Sequence, residues 1–342
     1  MRDLITSKDY ENRVFEYTNS GVKTKPENII PEKIYKYYAL NQNNVEALEK
    51  NCLYASHPYQ LNDTFDSSDV LLDFRNINQQ IFRGFYIKLL KEKYNDSEIY
   101  EEFKVDRLQN FRNFRKTFVS SLSNKFGNIS LTTNYENILM WSHYCEQNGF
   151  CIAFDTNEII NNYKILNNDI NKLFFRKMQY VEEIETIDIS KFEGFIAPFL
   201  YMTSIKDKIW SYEDEYRITV FKKNMEVPFN LRYNVNNSKG ENDRYLKYKK
   251  DAIKYIILGE LFFNNKFWYV SDNTLKIKIC EESFVFENLI NLLHDKYNHK
   301  LCIVNQILSG NKLKKVLSRI TLERIKLNEF KIFHIGENYM FS

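Results

Sequence analysis

The chain has 342 residues, 44% hydrophobic and 16% aromatic, which is enough apolar material for one large core or two ordinary ones. Its 48 Lys and Arg against 45 Asp and Glu leave a net charge of +3, too even for the concentrated basic footprint of a nucleic-acid binder. No run approaches the roughly 18 apolar residues of a membrane helix, and the N-terminus lacks the apolar stretch of a signal peptide. The five cysteines (Cys52, Cys145, Cys151, Cys280, Cys302) form no CxxC and sit beside apolar residues, as reduced thiols do. The expectation is a cytoplasmic protein.

Residues 1–30 are polar and read as an arm or first helix. "PEKIYKYY" (Pro31 to Tyr38) then predicts a strand, "NNVEALEKN" (Asn43 to Asn51) a short helix, and "CLYASHP" (Cys52 to Pro58) a strand stopped by its proline. "YQLNDTFD" (Tyr59 to Asp66) follows as a polar loop. From about 76 to 125, apolar residues at three- and four-residue spacing predict a helical insert, with Phe111, Phe114 and Phe118 on its inner face. Strands are expected again at "NISLTT" (Asn128 to Thr133) and "FCIAFD" (Phe150 to Asp155), with the helix "YENILMWSHYCE" (Tyr135 to Glu146) between them.

"KLFFRKMQYV" reads as a strand and "KFEGFIAPFLYMTSIKDKIW" as mostly helix. Later strands are predicted at "RYLKYKK", "IKYIILG", "LKIKI", "KLCIVNQI" and "FKIFHI", with "NKLKKVLSRITLERIK" (Asn311 to Lys326) an amphipathic helix. The order is irregular, so the fold class is α+β: a mixed, largely antiparallel sheet core over 31–310, followed by a C-terminal helix and strand over 311–342. The chain has no GxGxxG and no GxxxxGK[ST], which leaves Rossmann and P-loop readings without support.

Chemistry concentrates in "WSYEDEYRITVF" (Trp210 to Phe221). As one strand, it would put Tyr212, Asp214, Tyr216, Ile218 and Val220 on one face and Glu213, Glu215, Arg217 and Thr219 on the other. Two readings of that charged face stand side by side. It is either an exposed ion pair of little energetic weight or a cleft-facing glutamate oriented by Arg217. In "LMWSHYCEQNGFCIAFD", His143 and Glu146 lie one helical turn apart, yet no third His or Cys has ligand spacing, and no metal is expected. "YASHPYQLNDTFD" brings Ser56, His57, Asn62, Asp63 and Asp66 into one loop, either as Asx turns or as a substrate rim.

Taken together, "KIYKYYAL…LEKNCLYASHPYQLNDTFD", "ISLTTNYENILMWSHYCEQNGFCIAFD", "MQYVEE", "WSYEDEYRI" and "IKYIILG" resemble the successive motifs of a large, mostly bacterial family, domain of unknown function 2971. The likeness runs from about Pro31 to about Ile307, apart from the helical insert. More distantly, the motif order is similar to that of ADP-ribosyltransferase-like folds: a first strand with a polar residue, a second strand with a serine-bearing loop, and a late strand with a glutamate. Where some relatives have "HYT" this chain has "YKYY", so Lys36 or Tyr37 takes the histidine's place.

That resemblance implies NAD as a substrate. Lys36, Tyr37, Tyr54, Ser56, Asn62, Asp63, Trp141 and His143 would line its pocket, and Glu215 or Glu213, with Arg217, would stabilise the cation-like centre as nicotinamide leaves. The implied function is an NAD-consuming effector in defence or a toxin-like system, with a small nucleotide as partner, no membrane and no marked nucleic-acid surface. Two alternatives remain open: a non-catalytic binding or sensing module, and a nucleic-acid enzyme using Mg²⁺ on Asp63, Asp66, Glu213 and Glu215.

Overall fold

A computed structural model describes residues 14–18, 21–25, 30–76, 112, 122–146, 148–167, 170–192, 196–222, 225, 244–264, 268–271, 276–280, 283–309 and 311–335. The fold class is α+β with mostly antiparallel strand pairing, as the sequence predicts. The chain divides into two compact units, one formed by Met1–Ile29, Tyr54–Ser130 and Asn167–Leu246, the other by Ile30–Leu53, Leu131–Leu166 and Lys247–Ser342. The helical insert expected at about 76–125, with Phe111, Phe114 and Phe118, lies almost wholly outside the described residues.

In the second unit the strand order is Trp268–Ser271, Lys276–Ile279, Glu329–His334, Lys312–Lys326, Leu301–Ser309, Ile253–Leu258, Phe150–Asp155 and Lys33–Tyr38. Only the pairing of Ile253–Leu258 with Leu301–Ser309 is parallel in that series. Phe150 to Phe154 are buried at every position, so this strand carries an unbroken apolar run because both of its faces are covered. The helix Gln42–Glu49 starts at Asn41, whose side chain accepts from Asn44 N, and buries Val45, Ala47 and Leu48. The helix Ile138–Cys145 buries Met140, Trp141 and Cys145 and ends at Glu146 in the left-handed region.

In the first unit, residues 126–130 of the strand Phe126–Thr132 lie beside Glu215–Lys222, which pairs antiparallel with Ile170–Lys177. The helix Ile196–Ser204 runs directly into a strand, Ile205–Asp207, parallel to Gln179–Val181. Phe126, Phe199 and Phe221 form its aromatic core, with Phe126 edge-on to Phe199 at 4.9 Å. The loop after Cys52–Tyr54 is stopped by Pro58 in a 3-10 turn capped by His57.

Three sequence expectations are corrected. "NKLKKVLSRITLERIK" is a strand, Lys312–Lys326, paired on both sides, and not a helix. Its Val316, Ser318, Ile320 and Leu322 are buried and alternate as well as its helical face does; β-branched residues and two strand neighbours decide the outcome. The polar N-terminal stretch contains a hairpin, Val14–Thr18 with Gly21–Lys25. In "YEDEYRITVF" the strand begins only at Glu215, because Lys208–Glu213 is a 3-10 helix and Asp214 breaks the chain with φ 40°. Tyr212 and Asp214 therefore share no strand face with Tyr216, and Glu215 to Val220 are buried on both faces.

Candidate functional site

Glu213, Glu215 and Arg217 do converge, but in the interior of the first unit and not on a cleft wall. Glu215 Oε1 accepts from Arg217 Nε at 2.9 Å and lies 2.8 Å from Arg217 Nη2, while its Oε2 accepts from Lys206 Nζ at 2.7 Å. The outer edge of the guanidinium grips Asp66 with two bonds, Nη1 to Oδ1 at 2.6 Å and Nη2 to Oδ2 at 2.7 Å. Arg217 Nη1 also donates to the Thr203 carbonyl at 3.0 Å. Lys206 Nζ donates to Glu213 Oε2 at 2.6 Å and stands 3.6 Å from Asp66 Oδ2. All five charged residues are between 1 and 3% exposed.

Neutral groups complete the network. Asn128 accepts from Thr219 Oγ1 at 2.8 Å and donates to Ser67 Oγ at 2.9 Å, and Ser67 Oγ donates to Asp66 Oδ1 at 3.0 Å. Tyr180 OH accepts from the Glu215 N–H at 2.9 Å. Half-buried Trp210 covers one side, with Lys206 Nζ 5.6 Å from its ring centroid. Burial works to raise the Glu215 carboxyl, but the Arg217 and Lys206 charges and hydrogen bonds from Lys206 and Ser130 outweigh it and hold the group down at about 2. Burial likewise works against charge on Lys206 and Arg217, and the surrounding carboxylates reverse it, so both stay cationic.

Such a cluster stands or falls as a whole. Ions taken out of water cost several kcal/mol each unless their partners are well placed, and here each cation meets at least two carboxylates. The bidentate Arg217–Asp66 contact needs a planar fork, which lysine lacks.

The remaining expected site residues have separate surroundings. In the first unit, Tyr54 OH donates to Gln60 Oε1 at 3.0 Å, Ser56 pairs with Asn128 through backbone bonds of 2.8 and 2.9 Å, and Asn62 is exposed. Asp63 is 8% exposed; its Oδ1 accepts from Phe65 N at 2.9 Å, while its buried Oδ2 has no hydrogen-bond partner among the described residues. In the second unit, Tyr37 OH donates to the Asn134 carbonyl at 3.0 Å and its ring meets Trp141 edge-on at 5.0 Å. The Trp141 indole donates to the Tyr135 carbonyl at 2.7 Å, Lys36 Nζ lies 5.7 Å from the Tyr38 ring centroid, and His143 is exposed.

Lys206, Asn128 and Ser130 were not among the expected residues. Nothing in "SIKDKIW" marks Lys206, since its stretch read as helix; only the return of the chain beside Glu215 gives it a role. Among the described residues, no group of three or more His, Cys, Asp or Glu is placed to hold a metal ion, and no helix is long and apolar enough to cross a membrane. The cysteines are free, with Cys52, Cys145, Cys151 and Cys302 buried.

An α+β chain whose first unit is braced by an interior charge network is what fold and site define. Residues 140–218 match a family described as protein of unknown function (DUF2971). That span contains Trp141, His143, Lys206, Glu213, Glu215 and Arg217, and leaves Asp66 and the 54–63 residues outside. No curated protein and no solved structure matches the chain significantly.

Proposed function

We propose that the chain is a cytoplasmic binding or sensing module in which Asp66, Lys206, Glu213, Glu215 and Arg217 are a structural brace. The observation that carries this reading is the saturation of Glu215: both its oxygens are engaged by Lys206 and Arg217, and it is 2% exposed. A carboxylate committed to two cations has little field left for a cation-like transition state. The brace instead anchors the loop that carries Tyr59, Asn62 and Phe65, whose exposed side chains are available to a small nucleotide. Tyr59 and Phe65 are 58 and 53% exposed, and rings held in that way offer stacking faces to a base.

A second reading, an NAD-consuming ADP-ribosyltransferase-like effector in defence or a toxin-like system, is supported by one observation: Glu215 stays ionised through the physiological range. The Mg²⁺-dependent nucleic-acid reading has less support, because Lys206 and Arg217 already occupy the oxygens of Asp66 and Glu215 that a metal would need.

Incubation of the full chain with NAD, following nicotinamide release and nucleotide-induced melting shifts, separates these. The module reading expects no release above a no-protein blank, and a shift with nucleotide that Tyr59→Ala and Phe65→Ala abolish. Release lost in Glu215→Gln, with a folded variant, would replace it by the transferase reading.

A further inference from the structure

We propose that the Arg217 guanidinium is an oxyanion-binding site that Asp66 occupies from within the chain, so that a ligand carboxylate or pyrophosphate-type phosphate binds by displacing Asp66 and freeing the 57–69 loop. This rests on the module reading and names the chemistry that its site would take. The Asp66 contact has the geometry of a ligand contact: two parallel bonds of 2.6 and 2.7 Å to one edge of the fork, as arginine makes to free carboxylates and phosphates.

Charge restricts the replacement. With Asp66 seated, three carboxylates (Asp66, Glu213, Glu215) face two cations (Lys206, Arg217), a formal −1. Lifting Asp66 leaves two against two, and an oxyanion ligand returns negative charge to the guanidinium. A neutral or cationic ligand would leave the outer edge of the Arg217 fork without an anion, with only Glu215 and the Thr203 carbonyl still bound to it.

Three features favour release of the loop. Ser67, next to Asp66, is held at φ 56°, a left-handed conformation that a non-glycine residue adopts under strain. The buried Asp63 Oδ2 has no partner among the described residues, and a loop that opens returns it to water. Tyr59 and Phe65 are already 58 and 53% exposed, so their part of the loop gives up little apolar burial on moving. Bonds from Phe65 N to Asp63 Oδ1, Asp66 N to Asp63 O and Ser68 N to Phe65 O keep the segment folded on itself. Its ties to other segments include Asp66 to Arg217 and Lys206, Ser67 to Asn128 and Arg217, and His57 to Asn124, and the Asp66 contacts are the charged ones among them.

Amide hydrogen exchange of the 57–69 loop in the full chain tests this, with acetate as the carboxylate probe, ADP as the pyrophosphate probe and sodium chloride at matched ionic strength as control. The wild type should exchange about tenfold faster in this loop at saturating acetate or ADP but not in chloride. Response to acetate alone assigns a carboxylate ligand, and response to ADP alone a phosphate one. Asp66→Asn should exchange fast without any probe and gain nothing from either. Should that variant melt too low to assay, Ser67→Gly, which relaxes the strained residue and keeps Asp66, should need several-fold more probe for the same opening.

Unchanged wild-type exchange with both probes, or an Asp66→Asn loop as protected as the wild type, overturns the proposal. Nicotinamide release would remove the module reading while leaving an acetate response standing, so the two failures are distinguishable.

Discussion

Replacement of Glu215 by glutamine changes one oxygen to an amide and removes one charge, with almost no change in shape. The carboxylate serves Arg217 through Oε1 and Lys206 through Oε2, so either orientation of the amide turns an N–H₂ group toward a cationic donor. Loss of one partner from a buried ion pair costs about 3–5 kcal/mol. The reduction in formal charge from −1 to zero softens this only partly, because the lost bonds are local. Against the roughly 5–15 kcal/mol that holds a typical domain together, that is about a fifth or more of the whole. At about 2–4 °C per kcal/mol, the melting temperature should fall by roughly 6–20 °C. Thermal melts by circular dichroism, with urea titrations for free energy, measure it. A loss below about 1 kcal/mol, the level of an exposed pair, would refute the claim that the cluster braces the interior.

Arg217→Lys keeps the charge but loses the fork that joins Glu215 to Asp66, and urea titration should show a loss of at least about 2 kcal/mol. Acid should destabilise the chain in two stages. His57 is buried neutral, with Nδ1 accepting from Tyr59 N and Nε2 facing Asn124 Oδ1; burial and the Arg244 charge push it down to about 4, against the Asn124 bond. Its stabilisation is complete above about 6.5 and is lost as pH falls toward 4, where the unfolded chain binds the proton first. Glu215, whose folded value is about 2, adds stability above its ordinary 4.5 that disappears between 4.5 and 2, on the order of 3 kcal/mol. Urea midpoints at stepped pH check both stages, and His57→Gln should remove the upper one. Gly149→Ala should lower the melting temperature markedly, because a Cβ there overlaps the Tyr38 carbonyl and lies 3.0 Å from the Cys145 Cβ.

Local patterns carried much of the fold. "KIYKYY", "FCIAFD" and "IKYIILG" are strands where their apolar and β-branched residues place them, and the Asn-capped helix at Gln42–Glu49 follows from its own spacing. The apolar positions of Lys312–Lys326 fit a helical face and a strand face alike, and only pairing with two neighbours makes it a strand. In "YEDEYRITVF" the two-residue alternation fails at Asp214, whose left-handed backbone resets the register before Glu215. Glu213 and Glu215 nonetheless meet at Lys206, brought together by the turn at Asp214.

By itself the sequence determined the fold class, most strand positions and the stretch in which charge is concentrated, because hydrophobic period and turn chemistry act over a few residues. Only the tertiary structure decided what those charges do. Asp66 and Arg217 are 151 residues apart, and no local rule links them. Whether Glu215 faces water or two cations depends on which segments cover the strand's second face. Here Lys206 and the Asp66 loop cover it, and in that dry setting a carboxylate is stable only because Arg217 and Lys206 are already bound to it.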